Sequence, residues 1–223
     1  MNWMAHLTAW AAASSGVAEM KLRERLALTT VLASLILLSG CWTYSVHPLA
    51  EKHDQYLAYD PLLEGVWQTR DNHCSKIVIA GDSKAQQYTA TLIDLANDAQ
   101  CDGTEHGVQF SAQLVQLGTE RFLDAVASGD AGEIGALRAH SILKVFLSAD
   151  SLALVPLSDS WLCGASKAEQ AKLGECVNGD FVMTVHTDVL QEFVKTHAAD
   201  LGVFPEPSAD DTLPRERKSG DSK

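Results

Sequence analysis

The chain has 223 residues, 46% of them hydrophobic, enough for one domain with a sizeable core. Its 29 acidic residues outnumber 17 basic ones, for a formal net charge of −12. That balance excludes a protein held by charge to nucleic acid or to anionic headgroups, since both present phosphates.

The first readable element is apolar. Residues 26–38, "LALTTVLASLILL", carry no charge, but a bilayer-spanning helix needs roughly 20 such residues. Just upstream, "MKLRER" supplies Lys21, Arg23 and Arg25 as a positive flank. A basic flank, a short apolar run and a small-residue exit make residues 1–40 a secretory signal peptide, removed before folding. Met20 directly precedes the basic flank and is expected to be the true start, because residues 1–19 have no place in such a signal.

The exit itself reads "LSGC". It resembles the lipobox of bacterial lipoprotein precursors, with Leu38, Ser39 and Gly40 ahead of Cys41. The resemblance implies a diacylglyceryl group on the Cys41 sulfur, cleavage after Gly40 and acylation of the new N-terminus. The chain would then be a lipoprotein of the bacterial cell envelope, with the membrane as its partner through lipidated Cys41. One acyl chain binds a bilayer only marginally, whereas two or three hold durably. Trp42 stands where the inner-membrane retention signal of enteric bacteria would place Asp, which points to the outer membrane. Cleavage removes three basic and two acidic residues, so the net charge moves from −12 to −13.

Residues 41–60 are mixed and non-periodic and read as a tether. A β-rich domain is expected over 61–204. Within it, short apolar runs lie at 64–70, 75–81, 86–95, 107–117, 120–127, 139–148, 150–158 and 180–187. Several alternate with period two. In the third, Tyr88, Ala90 and Leu92 share a face, with Thr89, Thr91 and Ile93 opposite. In the fourth, Phe110, Ala112 and Leu114 alternate with Ser111, Gln113 and Val115. Such alternation marks half-buried antiparallel strands, and Gly, Asp and Ser cluster at the reversals between them. The fold expected is mainly β, an antiparallel eight-stranded barrel or sandwich, since closure removes exposed strand edges.

The opening "LLEGVW" contains a G-x-W, at Gly65 and Trp67, that resembles the lipocalin motif whose tryptophan closes one end of an eight-stranded barrel. The match covers three residues. The order of elements also resembles β-rich bacterial envelope lipoproteins with a G-x-W opening and a late helix. Late in the chain "GASKAEQAKLG" (164–174) reads as a short polar helix. "TDVLQEFVKTHAAD" (187–200) is a C-terminal helix with Val189, Leu190, Phe193, Val194 and His197 in one stripe, capped by Thr187 or Asp188. The end, 205–223, has prolines and alternating charges and reads as a disordered tail.

Beyond Cys41 four cysteines remain, an even number in an oxidising compartment, and these admit three connectivities. In a meander, the loops after the first and third strands lie at one end, which brings Cys74 to Cys101. Cys163 and Cys176 bracket a single loop. The expected disulfides are therefore Cys74–Cys101 and Cys163–Cys176, the latter contributing about 3 kcal/mol through the unfolded state. The same argument gathers His73, Cys74, Cys101 and His106 as an alternative zinc set, but its spacing matches no known finger, and no metal is expected.

Catalytic patterns are missing. His140 adjoins Ser141, yet neighbours on a strand point to opposite faces. His186 near Asp188, and Asp124 among apolar residues, read as solvated or as satisfied core groups. No elbow serine, H-E-x-x-H pair or phosphate loop is present. No cofactor, no catalytic residue and no nucleic-acid partner is expected. The chain reads as a lipid-anchored, non-enzymatic binding or scaffold module for another envelope protein. The alternative is a lipocalin-like carrier of a small apolar ligand.

Overall fold

A computed structural model describes residues 43–68, 75–94, 106–128 and 138–216. The structure is mainly β: one sheet of twelve strands with three short helices among the described residues. Its backbone is an antiparallel meander. The strands are β3 (Gly65–Gln68), β4 (Lys76–Asp82), β5 (Gln87–Asp94), β6 (His106–Leu117), β7 (Glu120–Ala127), β8 (His140–Leu147) and β9 (Ser151–Pro156). Each pairs antiparallel with the next, in registers such as Tyr88 opposite Ala112, Leu114 opposite Leu123 and Leu123 opposite Leu143.

Local chemistry sets the reversals. Before β3, Asp60 caps a 3-10 turn (Pro61–Leu63) by accepting from the Leu62 N–H at 2.9 Å. Gly65 then takes φ +144°, where a side chain would be strained. This geometry lets the Trp67 indole N–H donate to the Leu63 carbonyl at 3.0 Å. Between β4 and β5, the Asp82 carboxylate accepts from the Lys84 and Ala85 N–H groups at 2.9 and 3.1 Å.

Period-two alternation gives the central strands two buried faces. Ala112, Leu114, Leu123, Ala125 and Val145 join Trp67, Tyr88 and Leu152 in one cluster. On the opposite face Val115, Leu117, Phe122 and Ile142 pack beneath Leu49, Phe181, Met183, Leu190, Val194 and Phe204. The second layer comes from α1 (Asp159–Gly164), α2 (Lys167–Leu173), the hairpin of β10 (Gly174–Val177) and β11 (Asp180–Met183), and α3 (Thr187–His197). In β5 the expected alternation holds only as far as Ala90. Leu92 is 37% exposed opposite Val108 at 52%, because that end of the pair runs past the covered part of the sheet, and Ile93 is buried instead.

All eight expected strands form, and four short ones add to them. β1 (Thr43–Ser45) runs parallel to β11, with Thr43 beside Phe181, and touches β8 through Ser45 and His140. β2 (Leu57–Ala58) pairs with β6, β10 with β11, and β12 (Thr212–Pro214) with β9. Two expectations change accordingly. Residues 43–58, read as part of a tether, are built into the fold: Thr43, Ser45, Leu49 and Ala50 are buried, and the Leu49 N–H donates to Asp124 at 2.8 Å. Residues 205–216, read as part of a disordered tail, carry β12 and Arg215. The Arg215 guanidinium lies over the Trp67 ring at 4.6 Å and donates to the carbonyls of Leu62 and Glu64. The sheet does not close into a barrel through a continuous ladder. The free edge of β3 is met by one isolated bridge, Trp67 with Arg215, and by the Glu216 N–H donating to Val66 at 2.8 Å.

Candidate functional site: a groove between the helices

The stripe on α3 divides in two. Leu190 and Val194 are buried against the sheet, while Val189, Phe193 and His197 face a groove shared with α1 and α2. The residue at the N-cap of α3 is His186, whose side chain makes no cap bond. The Thr187 hydroxyl, expected to cap, donates instead to the Pro48 carbonyl at 2.9 Å. The groove holds about 600 Å³, within the size range of small-molecule and peptide-anchor sites.

Its opposite wall is short but tied down. Ser158 caps α1 by accepting from the Trp161 N–H at 3.2 Å. A Ser166–Glu169 capping box starts α2, and the Ser166 hydroxyl and N–H hold the Glu169 carboxyl below its usual range. The Gln170 amide donates to the Cys163 and Ala165 carbonyls at 2.7 and 3.0 Å, which links α2 to α1. A Cys163–Cys176 disulfide, Cα–Cα 5.8 Å, then fastens α1 to β10.

Three rings form the groove's aromatic floor. Phe193 and His197 have centroids 4.7 Å apart, Trp161 and His197 5.4 Å, and Trp161 and Phe193 6.3 Å. Gly202 lets the indole lie close: a Cβ there would sit 2.8 Å from Trp161 Cδ1. Glu169, Asp188 and Glu192 contribute carboxylates to the lining, against the ammonium of Lys172. The site is therefore apolar within and negative in balance.

A second, smaller cleft of about 340 Å³ contains Ser111, Gln113, Asp124, Arg138 and His140. Asp124 is 4% exposed, and its two oxygens meet the Leu49 N–H and the His140 Nδ1, each at 2.8 Å. This carboxylate is a satisfied core group that ties the N-terminal segment to β7 and β8. Ser45 lies opposite His140, but its hydroxyl donates to the His47 carbonyl at 2.7 Å. Asp124 thus orients the Leu49 backbone and the His140 ring. Lys144 is buried likewise, donating to the Ala198 carbonyl at 2.7 Å and pairing with Glu120 at 3.0 Å.

Of the residues singled out from sequence, Cys163 and Cys176 are joined as expected. Cys41, Cys74, Cys101 and His73 lie outside the described residues, and His106 opens β6. Among the described residues no group of three or more His, Cys, Asp or Glu could hold a metal ion, and no helix is long and apolar enough to cross a membrane. His186 meets the His47 ring at a tilt of 44°, centroids 4.8 Å apart, and Asp188 lines the groove. Trp161 was not singled out. The signal that could have found it is Ser158 three residues ahead, a helix cap followed by an aromatic.

Fold and site together define a class: a mainly β domain with an apolar, carboxylate-lined groove in its helical layer. No family model, curated protein or solved structure matches the chain.

Proposed function

We propose that the protein is a lipid-anchored lipoprotein of the bacterial envelope, on the outer membrane, that acts without catalysis by receiving a partner protein in the helical groove. The partner segment has an apolar anchor flanked by Lys or Arg. The observation that carries this reading is the groove itself, three rings bordered by three carboxylates and one ammonium. Aromatic anchors in a pocket with complementary charge around it are the usual core of a protein-binding site.

The sheet reads as barrel-like, with the Arg215 bridge bringing the C-terminal strap to the β3 edge. Its inner face is occupied by large side chains: Trp67, Tyr88, Leu114 and Leu152 are at most 2% exposed. That packing favours a binding module over a lipocalin-like carrier, which needs inward space for cargo. A Cys74–Cys101 disulfide belongs to the same reading.

The test is a titration of the protein with an amphipathic Leu/Lys peptide and with its Leu/Glu twin. The Leu/Lys peptide is expected to bind, and Phe193→Glu is expected to abolish binding. That variant adds negative charge, so diffuse attraction to an acidic protein would strengthen instead. Equal binding of both peptides, or undiminished binding to Phe193→Glu, would remove the groove from the account. A small apolar ligand retained in native mass spectrometry would restore the carrier.

A further inference from the structure

We infer that the folded body is not suspended on a tether but sits directly on the bilayer, with the β10–β11 hairpin and the Cys163–Cys176 disulfide at the lipid surface. This rests on the proposed lipidation of Cys41.

The argument is one of chain length. Thr43 is the first residue of β1, 5% exposed and paired with Phe181 in the sheet. Cys41 lies two residues upstream, so its Cα is within about 7.6 Å of the Thr43 Cα, two steps of about 3.8 Å. A flexible 41–60 tether would have given a root-mean-square reach of about 25 Å, from about 5–6 Å times the square root of its length. The glyceryl group is therefore held against whatever surrounds Thr43.

That surrounding is fixed by register. β1 and β11 run parallel, so the start of β1 shares an end with the start of β11 and hence with the hairpin turn at Asn178 and Gly179. Phe181 pairs with Thr43 on one side and with Cys176 on the other. Thr43 to Cys176 thus spans two strand spacings, about 10 Å. The Cys163 sulfur lies 3.9 Å from the Gly179 carbonyl, which adds the end of α1 to the same patch.

The patch has no attraction for anionic headgroups. Residues 174–180 contain Glu175 and Asp180 and no basic residue, and Val177 is 42% exposed at the hairpin. Attraction to anionic headgroups does not hold this face down; the acyl chains do. Trp42, of a residue type enriched at membrane–water interfaces, stands between the lipid and the strand. Because α1 bears both Cys163 and the groove residue Trp161, the groove opens within one short helix of the membrane.

The test uses the lipidated full-length product, isolated from bacterial membranes and placed in phosphatidylcholine nanodiscs doped with a gadolinium-headgroup lipid. Methyl signals of Val177 are expected to broaden several-fold more than those of Val108, which is 52% exposed near the start of β6, at the opposite end of the sheet and three strands from β1. A Gly/Ser linker of about 12 residues inserted between Trp42 and Thr43 should abolish that difference. Equal broadening at both positions in the unmodified chain would overturn the inference, as would a linker variant that keeps the difference. A product whose mass shows no diacylglyceryl on Cys41 would instead overturn the lipidation on which it rests.

Discussion

Leu114→Ala tests whether the inner face of the sheet is solid. Leu114 is 1% exposed, pairs with Leu123 on β7 and Ala58 on β2, and packs in the cluster with Trp67 and Tyr88. The substitution removes roughly three methylene equivalents at about 0.8 kcal/mol each, near 2.4 kcal/mol. If the surrounding strands cannot collapse, a void of about 40 Å³ adds about 1 kcal/mol at about 24 cal/mol per Å³. A loss of about 3 kcal/mol is expected. In urea, with a slope of about 1.5 kcal/mol/M, the midpoint should fall by about 2 M with the slope unchanged. Val108→Ala, at a side chain 52% exposed, serves as the control and should stay within about 0.5 kcal/mol. A loss below about 1 kcal/mol for Leu114→Ala would show an interior with room in it and refute the argument.

Four further outcomes follow from the same packing. Asp124→Ala leaves the Leu49 N–H and His140 without their shared acceptor and should cost about 2–3 kcal/mol in chemical denaturation. Replacing Cys163 and Cys176 together by Ser should lower stability by about 3 kcal/mol and weaken peptide binding more than Leu114→Ala does, since it frees a wall of the groove. Truncation after Ala209 removes β12 and the Arg215 bonds to Leu62 and Glu64; hydrogen exchange should then rise in β3 and β9 and stay unchanged in α3. The Glu64 carboxylate accepts from the Tyr59 hydroxyl at 2.5 Å and, with a smaller contribution from burial, pushes its pKa up to about 12. The folded state therefore holds that proton more tightly than the unfolded chain does, so stability is full below pH 10 and falls as pH climbs from 10 towards 12. Absorbance titration of Glu64→Gln should show one tyrosine returning towards the ordinary value.

Strands were legible where a face had to be buried. "QFSAQLVQL" alternates because β6 packs on both sides, and its two faces could be read almost residue by residue. The short strands were not legible, since runs of two to four residues such as "TYS" or "TLP" carry no period. Thr43 and Ser45 are polar, and their place between β11 and β8 buries them. The same reason hid the C-terminal strap. Arg215 looked like part of a charged run, but a guanidinium can stack on an indole and satisfy two carbonyls at once.

The groove was half legible. The α3 stripe is too wide for one contact, and its Val189–Phe193–His197 edge is what remains after Leu190 and Val194 are buried. Trp161 was hidden because α1 spans six residues, too short for helical periodicity to appear. The Cys163–Cys176 pair was the clearest part, because thirteen residues of separation around one loop leave little choice of partner.

The proposed envelope anchoring begins at Cys41. The most direct measurement is the intact mass of the protein extracted from the membranes of a bacterium that processes lipoproteins. The expected product is a chain starting at Cys41, carrying a diacylglyceryl and an amide-linked acyl group, with hydrogens missing for each disulfide. A chain that retains residues 1–40, or one that begins elsewhere with no added lipid, would contradict it.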